Sequence, residues 1–467
     1  MSMSRWDSDQ QGEMWIPSEQ MARSPGHPFY MKLNQVLREE GFDRKIEELC
    51  APFYKEGGRP SIPLGVYFRM LLAGYFEGID SQRGIAWRCA DSLSLREFLG
   101  LSLTERSPDH SSLTRIRKRL SLDVHEQMFS LVLAMAHKRG LLRGKTVLVD
   151  ATTLEANAAM RSIMRKDTGE DWNEYLTRLA QADGIEEPTA EDLQRYDNKR
   201  TGKKVSNKDW RSKTDPDARI AKMKDGRTHM AYKAEHAVDL DSGMILAAAI
   251  EPAGSSDAET LKGRLVDAQA NLLRAGSEQA LEEAVADKGY HKLDTLVWTA
   301  ENGIRTYLPE KQHRGARDWS QHTPARKRCY HNNRRRTKGP RGRRLLRLRG
   351  ERVERSFAHV CETGGARRTW IRGTEETSKY YTMRALAFNL GVLLRSICGI
   401  GKPRVLQDKR KGRKGLHAEA IRLFRAIAAR VRALRAHKAR ITSAVPGRET
   451  IRQAIQQKKI APCSTGC

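Results

Sequence analysis

The chain has 467 residues, 39% of them hydrophobic, which leaves room for two or three domains around one sizeable core. A formal net charge of +28 makes a polyanion the expected partner, nucleic acid first, with a general solubility charge or an anionic lipid surface as the alternatives. Seven scattered cysteines without a close C-x-x-C pair argue against a disulfide framework or a zinc site and fit a reducing cytosol. The first residues lack the apolar core of a signal peptide. The most apolar run, 385–400, is broken by Asn389 and Arg395, so it reads as a buried helix and not as a membrane span.

Residues 1–56 read as a lead-in with one helical piece at 31–50. A turn-rich boundary at Gly57, Gly58, Arg59 and Pro60 opens an all-helical domain, 57–140. Apolar spacing predicts helices near 64–76, 81–90, 94–99, 113–120 and 123–139. The helix at 113–120 carries Arg115, Arg117, Lys118 and Arg119; it either enters DNA in helix-turn-helix fashion or presents a solvated face.

A third region, 141–400, changes period. Val147, Leu148 and Val149 read as a short buried strand ended by Asp150, whose carboxylate either caps a turn or faces a cation at the sheet's edge. Residues 155–225 are a polar insertion of loops and short helices, in which Trp210 either anchors local packing or stacks on a base. Alternation over 230–238 and an apolar run at 244–250 predict a hairpin carrying His236, either a metal ligand or a satisfied sheet histidine. A helix at 258–274 follows the cap Ser255, Ser256, Asp257. The opening arrangement then repeats, with a strand at 284–286 ended by Asp287 and followed by Lys288, Gly289 and Tyr290.

A helix at 293–302 and a strand at 304–308 lead into a basic segment, 311–350. There Arg334, Arg335, Arg336, Arg343, Arg344 and Arg347 are expected to grip a phosphate backbone, or to stay disordered until DNA arrives. Next comes a helix at 351–360 holding Glu351, Glu354 and Arg355, and a core helix at 382–395. Residues 401–467 form a basic helical tail whose apolar positions Leu416, Ala420, Leu423, Ile427, Val431 and Leu434 fall at heptad-like spacing.

Two acidic strand ends and one acidic helix, far apart in sequence, can converge in a mixed sheet. Hard oxygen donors suit Mg²⁺, and a pair of such ions promotes phosphoryl transfer. The order Leu148-Val149-Asp150-Ala151-Thr152-Thr153, Asp215-Pro216-Asp217-Ala218-Arg219, Ala237-Val238-Asp239, Ala286-Asp287-Lys288-Gly289-Tyr290, Val353-Glu354-Arg355-Ser356-Phe357 and Glu362-Thr363-Gly364-Gly365 resembles the DDE transposases of bacterial insertion sequences. The likeness spans about 55–397; each motif alone is weak, and their order is specific.

The resemblance implies an α/β fold: an RNase H-like mixed sheet flanked by helices, with the helical N-terminal domain before it and the basic tail after it. It implies Mg²⁺ (or Mn²⁺) as cofactor and Asp150, Asp287 and Glu354 as catalytic metal ligands. Glu351 is the alternative third acid, because Arg347 stands four residues before it, as an arginine does in several relatives. Lys288, Tyr290 and Arg355 become candidate DNA contacts beside the acids. The expected activity is cutting at terminal inverted repeats and joining of the 3′-hydroxyl ends to target DNA. The alternatives are a catalytically inactive, transposase-derived regulator and an RNase H-like nuclease without joining activity. Double-stranded DNA, a homodimer or higher assembly, and a cytoplasmic, nucleoid-associated location complete the expectation.

Overall fold

The computed structural model describes residues 21, 24–55, 57, 60–201, 205–223, 225–311 and 318–406. The heptad-like helix expected at 416–434 lies outside the described residues, among which no helix is long and apolar enough to cross a membrane. The elements positioning the site fall within one compact unit, 1–397 with 401–403.

The chain begins with helices α1 (Pro28–Glu39), α2 (Phe42–Cys50), α3 (Leu64–Glu77), α4 (Gln82–Asp91), α5 (Leu93–Leu99), α6 (His110–Arg119) and α7 (Leu122–Lys138). Side chains of Ser81, Ser92, Asp109 and Ser121 accept backbone N–H groups and so set where α4 to α7 start. The single helical piece expected at 31–50 is two helices, because Gly41 takes φ 64° between them, a conformation that costs a glycine little. Helix α3 is buried from Gly65 to Phe76 and is the hub of this region. Its Arg69 is tolerated there because both prongs of the guanidinium meet Asp43 and Nε donates to Asn34 at 2.9 Å.

Next come β1 (Thr146–Glu155), β2 (Ile163–Arg165), α8 (Trp172–Ala182), α9 (Ala190–Lys199), β3 (Trp210–Ser212), β4 (Arg219–Lys222), β5 (Thr228–Asp239), β6 (Ile245–Pro252) and α10 (Asp257–Arg274). The remainder is β7 (Glu283–Val285), α11 (Leu293–Glu301), β8 (Arg305–Tyr307), α12 (Pro324–Lys338), α13 (Pro340–Phe357) and α14 (Thr374–Cys398). The main sheet runs β5–β1–β7–β8, with β4 and β6 dividing the outer edge of β5. Strand β1 is antiparallel to β5 and parallel to β7, and β7 is parallel to β8. This is a mixed α/β sheet flanked by helices, consistent with an RNase H-like core.

Alternation sends neighbouring residues of β5 to opposite faces. Glu235 meets Thr260 and Arg264 of α10, whereas His236 meets Ser356 of α13 and Tyr381 of α14. The polar insertion holds more structure than the expected loops. Helices α8 and α9 bury Leu176, Ala180 and Leu193 in a small core of their own, and β2 pairs with β3. Trp210 is 3% exposed and lies 5.2 Å from Trp172 and 5.0 Å from Tyr175, so it anchors that core and has no face open to a base.

From 324 onward the basic segment is folded as α12 and α13. Asn333 fixes α12 to the sheet by bonding both the N–H and the carbonyl of Leu308, at 3.1 and 2.8 Å. Pro340 then restarts the chain as α13, whose first turn is tied to β7 by Arg341 donating to the buried Glu283 at 2.6 Å.

Candidate active site

Strand β1 does not end at Asp150, as expected, but runs on to Glu155, because the long strand β5 pairs with it as far as Ala231. What ends near Asp150 is its other neighbour. The last β1–β7 partners are Leu148 and Val285, so Asp150 and Asp287 each lie two residues beyond the same register pair. Parallel pairing thereby brings the two acids level at a notch in the sheet. Asp287 does not end its strand either; it caps the short 3₁₀ turn Lys288–Tyr290, accepting the Gly289 N–H at 2.7 Å.

Asp150 is held off balance. Burial raises its pKa and the neighbouring charge of Asp287 raises it further, while Arg349 of α13 and the N–H of Ala151 pull it down. The Arg349 Nη1 donates to Oδ2 at 2.5 Å and Ala151 N–H to Oδ1 at 2.9 Å. Gly289 is required by close approach: a Cβ there would meet Asp257 Oδ2 at 2.6 Å and Asp287 Oδ1 at 2.9 Å. Asp257 is in turn bonded by Lys233 Nζ at 3.0 Å, and Lys233 also pairs with the buried Glu235 at 2.9 Å.

Glu354 is exposed on α13, and among the described residues no hydrogen bond or ion pair engages its carboxylate. Glu351 pairs with Arg355 at 2.9 Å. Asp150 and Asp287 are thus brought together, but no set of three or more His, Cys, Asp or Glu side chains is placed to hold a metal ion among the described residues. The donor chemistry nonetheless fits a hard divalent cation. Two carboxylates stand level, one of them is under-compensated, and the group now resting on it is itself a cation.

The expected DNA contacts divide by exposure. Arg115, Lys118 and Arg119 are exposed on α6, Lys288 is exposed beside Asp287, and Arg334, Arg335, Arg343, Arg344, Arg347 and Arg355 are exposed along α12 and α13. Arg117 is a correction: it is 7% exposed and its Nε donates to Glu376 of α14 at 2.7 Å, so it clamps the helical region to the core. Tyr290 is a second correction, since it is 1% exposed and donates to Glu235 beneath the turn. Arg336 is half-buried and donates to the Thr306 carbonyl at 3.1 Å, an attachment to β8.

His236 is not a ligand. Its Nδ1 bonds Ser356 and its Nε2 bonds Tyr381, each at 2.8 Å, and burial pushes its pKa down to about 3. Sequence reasoning placed Arg349 only within the basic run expected to grip DNA, and missed Lys233, Glu235 and Asp257. The only signal for Lys233 and Glu235 was two charges inside a strand otherwise apolar enough to be central.

Comparison with known proteins carries the same message. A model described as "Transposase domain (DUF772)" matches residues 18–119, beginning well before the expected boundary at 57, and one described as "Transposase DDE domain" matches 143–390, more than half of the chain. No curated protein and no solved structure matches. Mixed sheet, level aspartates and a family match that embraces both place the conclusion beyond resemblance: the chain belongs to the DDE transposases of insertion elements.

Proposed function

We propose that this transposase cuts DNA at the ends of its element and joins the freed 3′-hydroxyls to a target, with Asp150, Asp287 and Glu354 holding divalent cations. The observation that carries this reading is the shared register of Asp150 and Asp287 beyond Leu148 and Val285. A bound Mg²⁺ or Mn²⁺ supplies charge neutralisation at the scissile phosphate and favours the deprotonated attacking oxygen. Glu354, on the exposed face of the helix that crosses β1, is the third ligand in this reading, in preference to Glu351 with its arginine partner.

The remaining work falls to the chain's own residues. Arg343, Arg344 and Arg347 lie along α13 before Glu354, and their charges hold phosphates and align the strand with the acids. Lys288, next to Asp287, holds a phosphate oxygen on the other side of the notch. A water oxygen attacks phosphorus as the bond to the 3′ oxygen breaks, giving a 5′-phosphate and a 3′-hydroxyl. That hydroxyl then attacks a target phosphorus in line and displaces a second 3′ oxygen, so no covalent intermediate with the protein forms. Two element ends must be held at once, which a homodimer or larger assembly provides.

The test is Asp150→Asn and Asp287→Asn, assayed on DNA carrying the element's ends. Cleavage is expected to fall at least ~10³-fold, the effect of losing several kcal/mol of charge stabilisation, with end binding by gel shift within about threefold of wild type. Undiminished cutting in both variants overturns the assignment. Nicked product without strand transfer in the wild type reduces the reading to a nuclease.

A further inference from the structure

We propose that Arg349 is the resident counterion of the aspartate pair: its guanidinium occupies Asp150 until a divalent cation displaces it, and then turns to a phosphate of the bound DNA. This rests on the reading of Asp150 and Asp287 as cation ligands.

The manner of the contact is what points there. Arg349 touches Asp150 with one nitrogen, Nη1 to Oδ2 at 2.5 Å, while the other carboxylate oxygen accepts the Ala151 N–H. Its Nε is buried without a hydrogen-bond partner. A buried donor left unmade carries a cost that a better-matched acceptor would relieve. Arg69, in the same chain, is the contrast: Nη1 and Nη2 take the two oxygens of Asp43, Nε takes Asn34 Oδ1, and Nη1 also reaches the Gly65 carbonyl. Arg69 is locked, and Arg349 is parked.

Charge and access agree. Two carboxylates against one guanidinium leave one negative charge unmatched at the notch, and a divalent cation in its place leaves none. The side chains of Arg349 and Asp150 are 17% and 23% exposed, sheltered enough for their attraction to count and open enough for exchange. Arg349 lies on the inward face of α13, one turn from the buried Leu345 and Val353, so a released guanidinium stays beside the aspartates and meets a phosphate that the bound DNA brings to them. Arginine suits both duties, since one planar fork matches carboxylate and phosphate alike.

The experiment is a Mn²⁺ titration of the full chain without DNA, reading free Mn²⁺ by electron paramagnetic resonance. Arg349→Gln is expected to bind Mn²⁺ at least about tenfold more tightly than wild type, because a like charge has left the site. Asp150→Asn abolishes this binding on either background. Lys338→Gln on α12, which removes the same charge elsewhere, leaves the affinity unchanged. Arg349→Met, uncharged and similar in length, repeats the measurement should the glutamine variant fold poorly. Arg349→Lys keeps the charge and stays near wild type.

Cleavage of end-bearing DNA at saturating Mn²⁺ is expected to drop ~10- to 100-fold in Arg349→Gln, the loss of one charge-assisted contact. Tighter cation binding with slower cutting is a split that mere structural damage does not produce. Equal Mn²⁺ affinity in wild type and Arg349→Gln, both dependent on Asp150, overturns the counterion role and leaves the cation reading standing. No Asp150-dependent binding in any variant overturns both, and cutting that rises in step with affinity overturns the transfer to phosphate.

Discussion

Asp150 and His236 are register partners on neighbouring strands, and the protein treats them in opposite ways. His236 is closed on every side: two hydrogen bonds to its ring nitrogens, and Phe357 stacked at 4.1 Å and 13°. Asp150 has one arginine nitrogen, one backbone N–H and a like charge nearby. Both are largely removed from water, so burial does not separate a structural residue from one proposed to hold a cation. The separating property is whether the local charge and hydrogen-bond demands are met within the protein. Where they are met the residue holds the fold, and where they are not, as at Asp150, a bound cation is the complement proposed above.

Helix α13 offers the hardest test of that distinction, because it carries a met and an unmet glutamate three residues apart. Glu354→Gln is expected to lower cleavage by ~10³-fold, as for the aspartates. Glu351→Gln removes one exposed i, i+4 pair with Arg355, worth ~0.3–0.5 kcal/mol, and should cost far less activity. Cleavage rates of both variants on one DNA decide it; the reverse ranking would move the third acid to Glu351.

The met residue should fail in stability and not in chemistry. His236→Ala leaves a cavity beside Phe357 and removes one hydrogen bond each from Ser356 and Tyr381, which is expected to destabilise by ~3 kcal/mol in urea unfolding. Acid should expose the same site. The folded pKa of His236 is about 3 against 6.5 for the free residue, so the unfolded chain takes the proton first as the pH falls. Stability from this group is intact above about 6.5 and declines from there toward 3, at ~1.4 kcal/mol per pH unit. His125, held near 4 by burial, tilts the curve in the same direction. Replacing His236 by Gln should therefore reduce the slope between pH 4 and 6 by one proton; an unchanged slope would mean the ring is protonated in the folded protein.

The same contrast explains what was legible beforehand. The hairpin and the helix after Ser256 follow from period and turn residues, which are local signals, and the two aspartates stood out beside short apolar runs although neither ends its strand. Register is not local. That Leu148 pairs with Val285, and so levels Asp150 with Asp287, depends on partners more than a hundred residues apart. The alternation over 230–238 marked a hairpin but not its depth: β5 is covered on both sides and buries Lys233 and Glu235 as well as its apolar residues. Arg349 was hidden by its company: one arginine among many looks like surface charge until the fold turns it toward a carboxylate. The break at Gly41 was missed because apolar spacing continues across it.

Arginines give the smallest and most discriminating comparison. Arg117 and Arg347 both sit in basic helices that the sequence marks alike, but Arg117 is closed on Glu376 while Arg347 is exposed on α13. Each phosphate contact releases about one counterion, so losing one should weaken DNA binding by only ~1 kcal/mol near physiological salt and lower the slope of log affinity against log salt by about 1. Arg347→Ala is expected to show that change on any DNA sequence, because a backbone contact carries no base information. Arg117→Ala should lose the clamp between α6 and α14 and unfold more readily, with the salt slope of the folded protein unaltered. Equal slopes for Arg347→Ala and wild type would remove α13 from the DNA path. A reduced slope for Arg117→Ala would mean that its ion pair opens when DNA binds, and that what is closed in the free protein is not closed in the complex.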